Sequence, residues 1–222
     1  MIKAIIFDMD GLMVDTETLY VKVASGIARK KGKRFTLQLK RKMMGRKAID
    51  ALKIFKRELG FLEPIEEIIQ EREKTYGRLL SREIRTMPGL FNLLKRLEKT
   101  KIKKAIASSS ALKWIQLILK KLKISKKFDV IVSGDGVKKG KPDPEIYLLT
   151  AKKLRLKPEE CLVLEDNPTG VKAAKRAGMK CIAVPNKFTK NQKFSRVDLK
   201  VKSLNNITLK IIKTINKIEK HD

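Results

Sequence analysis

Short runs of Ile, Val, Leu and Ala recur along this chain, each closed by a turn and followed by a stretch whose apolar residues fall three and four apart. A continuous apolar run alternating with a helical period is the pattern of a parallel sheet with crossover helices. The runs predict strands at residues 3–8, 103–108, 128–133, 161–165 and 180–184, with a weaker one at 198–201. Most are apolar at successive positions, so helices are expected on both faces of the sheet. Helical spacing predicts helices at 90–98 behind Pro88 and Gly89, at 112–122, at 144–153, and at 170–177 with Gly178 as the stop.

One interval breaks the alternation. From residue 18 to residue 81 the pattern is helical throughout, with no strand signal, which predicts a helical insertion. Its borders are turn-prone: Asp15 and Thr16 on one side, Met87, Pro88 and Gly89 on the other. The expected division is therefore a core of residues 1–15 with 87–222, and a cap of residues 16–86 that could close over a site. Near the end, Leu204, Ile207, Ile211, Ile215 and Ile218 fall on one helical face between lysines, predicting a terminal helix packed on the core.

Composition adds a packed globule, since 42% of residues are hydrophobic and distributed along the whole chain. No apolar run reaches membrane-spanning length, and the opening run is interrupted by Asp8 and Asp10 before it could serve as a signal peptide. Cytoplasmic location and a monomer without membrane partners are the expectations. Cys161 and Cys181 each lie in a strand-like run, so free buried thiols are expected rather than a disulfide. Charge is the unusual feature: 53 Lys plus Arg against 24 Asp plus Glu give a formal +29. Such a field attracts anions of every kind. Along the sequence the basic residues are spread from end to end, so solvated surface ranks ahead of nucleic-acid binding.

Chemistry enters at the ends of the predicted strands, where open α/β sheets place their ligands. Asp8-Met9-Asp10-Gly11 follows the first strand. Two carboxylates two residues apart repel each other unless a divalent cation or a proton intervenes, and both devices suit phosphoryl transfer. One Asp can attack phosphorus while the other protonates the departing alkoxide and later activates water. Glu165-Asp166 ends another strand and precedes Asn167-Pro168-Thr169-Gly170, where an N-cap is the plainer role for Asp166 or Asn167. The two acidic clusters together could meet the needs of magnesium. Ser108 and Ser109, in a run of three serines after a strand, could bind phosphoryl oxygens, although serines before a helix commonly act as caps. Lys141, set in Gly140-Lys141-Pro142-Asp143-Pro144, offers a fixed ammonium for the charge on a transferring phosphoryl group.

Taken in this order, the four stretches resemble the haloacid dehalogenase superfamily over nearly the whole chain. The resemblance implies a Rossmann-like parallel sheet core with an inserted all-helical cap, and a magnesium-dependent phosphatase that works through an aspartyl phosphate. It assigns Asp8 as nucleophile, Asp10 as acid and base, Ser108 as phosphate-binding hydroxyl and Lys141 as the cation. It implies magnesium held by Asp8, the backbone carbonyl of Asp10 and Asp166, with Glu165 joining through water. Within the superfamily, the Asp8 segment with Phe7 and Leu12, the stretch from Met44 to Ala48, Met87-Pro88-Gly89 and the Glu165 segment are similar to the group holding pseudouridine 5'-phosphatase, sugar phosphatases and beta-phosphoglucomutase. A sugar or nucleoside monophosphate is then the expected substrate class, and Arg46 and Lys47 are the cap residues expected to touch it. A sugar phosphomutase is the second reading, weakened because the mutases' cap histidine is replaced here by Tyr20. The third is a basic nucleic-acid binder whose site is vestigial.

Overall fold

The computed structural model describes residues 1–43 and 48–217. The chain opens with β1 (Ala4–Phe7), followed by four helices: α1 (Thr16–Lys30), α2 (Leu37–Met43), α3 (Ala48–Leu59) and α4 (Ile65–Glu83). It continues with α5 (Leu90–Glu98), β2 (Lys103–Ala107), α6 (Leu112–Lys121), β3 (Val130–Val132), α7 (Glu145–Leu154), β4 (Cys161–Glu165), α8 (Pro168–Arg176), β5 (Lys180–Ala183), β6 (Leu199–Lys200) and α9 (Leu209–Thr214). Two compact units result: Met1–Val14 with Thr86–Asp222, and Asp15–Arg85. No helix among the described residues is long and apolar enough to cross a membrane.

The first unit is built on a six-stranded sheet in the order β3-β2-β1-β4-β5-β6, with every pairing parallel. Both faces are dry because the strands carry aliphatic residues at consecutive positions. Ala4, Ile6, Ala105, Ala107, Val163 and Cys181 belong to a core shared with Tyr147 and Ala151 of α7 and Val171 and Ala174 of α8. The intervening residues Ile5, Phe7, Ile106, Leu162 and Leu164, pointing the other way by alternation, are equally buried. Order and register decide where a site can form. The chain leaves central β1 for β2 and β3 on one side, then returns to β4 on the other, so the sheet has a topological switch point at β1. Phe7 pairs with Leu164 and with Ile106, which brings the residues just beyond all three strands to one rim.

The second unit is helical. Leu19, Val23 and Ile27 make the buried stripe of α1, four residues apart, while Ile68, Tyr76 and Leu80 make that of α4. Tyr20 stacks on Tyr76 with ring centroids 4.7 Å apart. Asp15 caps α1, its Oδ1 accepting from the Thr18 amide at 3.1 Å. Buried Lys40 pairs with Glu17 at 2.6 Å.

The terminal stretch departs from its expectation. Instead of one helix it forms a 3-10 turn at Leu204–Asn206, then α9, then a second 3-10 turn at Ile215–Lys217. Side chains that compete for backbone groups divide it: Asn206 Oδ1 accepts from the Ser203 amide at 3.0 Å, and Thr208 Oγ1 from the Ile211 amide at 3.2 Å. Leu204, Ile207, Ile212 and Ile215 are the buried residues, so Ile212 replaces Ile211 on the inner face. Ile218 lies outside the described residues. The two cysteines are free and buried. Burial pushes the Cys161 thiol up to about 12 and raises that of Cys181 as well.

Candidate active site

Asp8 stands one residue past β1, and its amide donates to the Leu164 carbonyl at 3.0 Å. That last rung of the ladder sets Asp8 beside Glu165, the last residue of β4. Lys141 arrives from the turn between β3 and α7. Its Nζ lies 2.6 Å from Asp8 Oδ1, 2.6 Å from Glu165 Oε1 and 3.3 Å from the Ala107 carbonyl. Both the lysine and its two partners are buried, so little water screens the contact.

Glu165 is fully engaged. Its Oε1 also accepts from the Tyr147 hydroxyl at 2.6 Å, and its Oε2 from the amides of Asp166 at 3.1 Å and Asn167 at 3.4 Å. The Tyr147 ring lies under the Lys141 ammonium, 4.9 Å from Nζ to centroid, adding a cation–π contact. Gly170 is required on the far side, since a Cβ there would come within 1.7 Å of Glu165 Oε1.

Asp166 is held by two amides. Asn167 Nδ2 donates to Oδ1 at 3.1 Å and Asn186 Nδ2 donates to Oδ2 at 2.7 Å. Asn167 is also the N-cap of α8, accepting from the Gly170 amide at 3.0 Å. The Asn186 amide group reaches the Gly11 carbonyl at 3.1 Å, so one buried side chain ties the loop after β1 to the loop after β4. Gly11 has φ +81°, and a Cβ there would meet Asp166 Oδ2 at 2.5 Å, which explains a glycine after the second Asp.

Asp10 faces another way. Its Oδ2 accepts from Ser108 Oγ and Ser110 Oγ, each at 2.8 Å. Ser108 in turn accepts from the Ser110 amide at 3.0 Å. Ser109, expected at the phosphate, is exposed on the turn, and its carbonyl packs where Gly134 has no Cβ. Arg46 and Lys47 lie outside the described residues.

Asp8, Glu165 and Asp166 each offer an oxygen, and these atoms lie within 4.8 Å of one another. Burial pushes the Asp8 carboxyl up to about 8; Lys141 opposes the rise, while the charges of Glu165 and Asp10 add to it. Burial also works against the Lys141 ammonium, but Asp8 and Glu165 outweigh it and hold the group above its ordinary range. A buried excess of negative charge with a hard, all-oxygen donor set fits a divalent cation such as magnesium. Ser110, Tyr147 and Asn186 join this site without having been singled out in the sequence.

A family model described as haloacid dehalogenase-like hydrolase matches residues 5–184. The chain belongs to that family. Among curated relatives of this hydrolase, "Phosphorylated carbohydrates phosphatase" of Thermotoga maritima is 38% identical over 180 residues, 81% of this chain and 83% of the relative. Beta-phosphoglucomutase of Bacillus subtilis is 30% identical over 221 residues, covering 95% and 93%. The crystal structure of CbbY from Rhodobacter sphaeroides in complex with phosphate superposes with a TM-score of 0.81 at 28% identity, over 93% of this chain and 96% of that one. The parallel sheet with its separate helical unit is thus the fold of the family, and this hydrolase is a phosphoric monoester hydrolase of its phosphatase and beta-phosphoglucomutase group.

Proposed function

We propose that this chain hydrolyses a small phosphorylated metabolite, a sugar or nucleoside monophosphate, through an aspartyl phosphate on Asp8. The observation that carries this reading is the Asp8 carboxylate, buried at a strand end, 2.6 Å from a fixed ammonium and within 4.8 Å of the oxygens of Glu165 and Asp166. Magnesium held by Asp8, Asp166 and the Asp10 carbonyl, with Glu165 behind, would when bound neutralise charge on the phosphoryl oxygens.

The chain's own residues perform the rest. A carboxylate oxygen of Asp8 bonds to phosphorus as the bond from phosphorus to the leaving oxygen breaks. Asp10, protonated for this half-reaction, gives its proton to that oxygen and so releases an alcohol. It then takes a proton from a water whose oxygen displaces Asp8 from phosphorus, freeing phosphate and restoring both carboxyls. Ser108 and Ser110 hold one Asp10 oxygen, which fixes the carboxyl's orientation through both half-reactions. Lys141 supports attack by balancing charge at Asp8 and on the phosphoryl group. Tyr147 and the two amides at Glu165 keep that lysine aimed.

Replacing Asp8 with Asn should abolish turnover of para-nitrophenyl phosphate while circular dichroism and thermal unfolding keep the native profile. Full activity in that variant would refute the assignment. The beta-phosphoglucomutase relative motivates one alternative: a mutase would return the phosphoryl group to a sugar phosphate, so release of free phosphate from every substrate in a screen of sugar and nucleoside monophosphates separates the two.

A further inference from the structure

In sequence the basic residues are spread along the whole chain, but the topology of the first unit gathers many of them in one place. A parallel sheet with crossover helices puts strand starts and helix ends on the rim opposite the active site. Helix ends also favour lysine and arginine, which complement the dipole. Three segments meet at this rim: 98–104 between α5 and β2, 120–129 between α6 and β3, and 152–160 between α7 and β4. Together they hold thirteen Lys and Arg against four acids.

Contacts in the structure stitch these segments side by side. Lys103 Nζ donates to the Leu154 carbonyl at 3.0 Å, and the Asp129 amide donates to the Lys104 carbonyl at 2.7 Å. Three of the four acids are engaged locally: Glu98 pairs with Lys127, Glu160 with Lys3, and Asp129 Oδ2 accepts from the Lys104 amide. Eleven of the thirteen basic residues are exposed. Between the first two segments lies a cleft of about 460 Å³ lined by Lys104, Lys123, Lys126 and Lys127, with Glu98 and Asp129.

We propose that this basic rim binds the phosphate backbone of a duplex nucleic acid without reading its sequence. Charge complementarity is the first argument. The second is what the rim lacks: among the described residues, none of the exposed large hydrophobics (Met1, Leu37, Ile49, Leu62, Phe91, Leu112, Leu148) falls in the three segments. A protein partner would call for an apolar anchor there, and a stable hold on a membrane for an apolar group that inserts. Unstacked single strands call for aromatic platforms, whereas Phe128, the aromatic lining the cleft, is packed edge-on against Phe7. Strands β3, β2, β1 and β4 set the rim's width at roughly 14 Å, about the axial rise of eight duplex phosphates. Half of these can face the protein, so about four contacts are expected.

Fluorescence anisotropy of the whole protein with a labelled 20-base-pair duplex of mixed sequence tests this. Saturable binding is expected at low salt, with log affinity falling against log NaCl with a slope of about −4. Substituting Lys120, Lys121, Lys123 and Lys126 together with Gln should weaken binding at least tenfold and make the slope shallower by about 3. Turnover of para-nitrophenyl phosphate by that variant should stay unchanged, which also establishes that it folds. Removing equal charge from the helical unit with Lys33, Arg34, Lys53 and Lys74 all changed to Gln should alter affinity less than twofold. Equal weakening by the two variants, no saturable binding by the wild type, or binding to phosphatidylserine vesicles in place of the duplex would each overturn the proposal.

Discussion

At the scale of single residues the site is a set of carboxylates whose freedom has been removed one oxygen at a time. Asn186 does this for Asp166, and its replacement by Ala would remove the amide that donates to Asp166 Oδ2 at 2.7 Å and to the Gly11 carbonyl at 3.1 Å. Magnesium titration of phosphatase activity should then show a half-saturating concentration at least tenfold higher than in the wild type. Asp8 gives a second expectation. Its carboxyl titrates near 8 in the fold against 3.8 ordinarily, so the folded chain holds the proton more tightly and stability falls as pH rises through that window. In EDTA, the melting temperature of the wild type should drop relative to that of Asp8→Asn between about pH 5 and about pH 8; a constant difference would contradict it. The convergence of Asp8, Asp10, Ser108, Glu165 and Asp166 on one rim was legible because each sits beside a strand end marked by its own apolar run, whereas Lys141 was marked by the proline-flanked turn that carries it. Asn186 was not, because Pro185-Asn186 reads as an ordinary turn and its partners are 20 and 175 residues away. Tyr147 was hidden for a related reason: its position on α7 looks like core, and only the hydroxyl at its tip is polar.

Elements bounded by strong local signals were read well. Helix α5 runs from Leu90 to Glu98 and strand β4 from Cys161 to Glu165, as their patterns required, because leucines with a helical period and an unbroken aliphatic run leave no competing arrangement. Edge strands came out shorter than expected: β3 spans Val130–Val132 and β6 Leu199–Lys200, since each has a partner on one side alone and the ladder ends where that partner does. The end of the chain shows the opposite failure, where an apolar period survives across Ser203 and Thr208 although both residues cap separate turns. Thr208→Ala removes the N-cap acceptor of α9 and should lower stability by about 1 kcal/mol in urea unfolding, with activity retained.

Seen as a whole molecule, the chain carries +29 of net charge while Asp8, Glu165 and Asp166 are sunk at one rim of the sheet. A field of that sign concentrates phosphorylated substrates around the protein and is screened by salt. For para-nitrophenyl phosphate, kcat/KM should fall several-fold between about 50 and about 500 mM NaCl, while kcat changes less than twofold. Strand order carries a further consequence, for biosynthesis. The strand at the middle of the sheet is the first to leave the ribosome, yet Ala4 must wait for Lys103 on one flank and Cys161 on the other. At roughly 5–20 residues per second, that leaves the nascent Ala4–Phe7 segment, apolar and without its sheet partners, for several seconds at the least. Completion of this fold is therefore tied to late arrival of its second half, and a holdase chaperone that covers the amino-terminal apolar segment meets a need written into the connectivity.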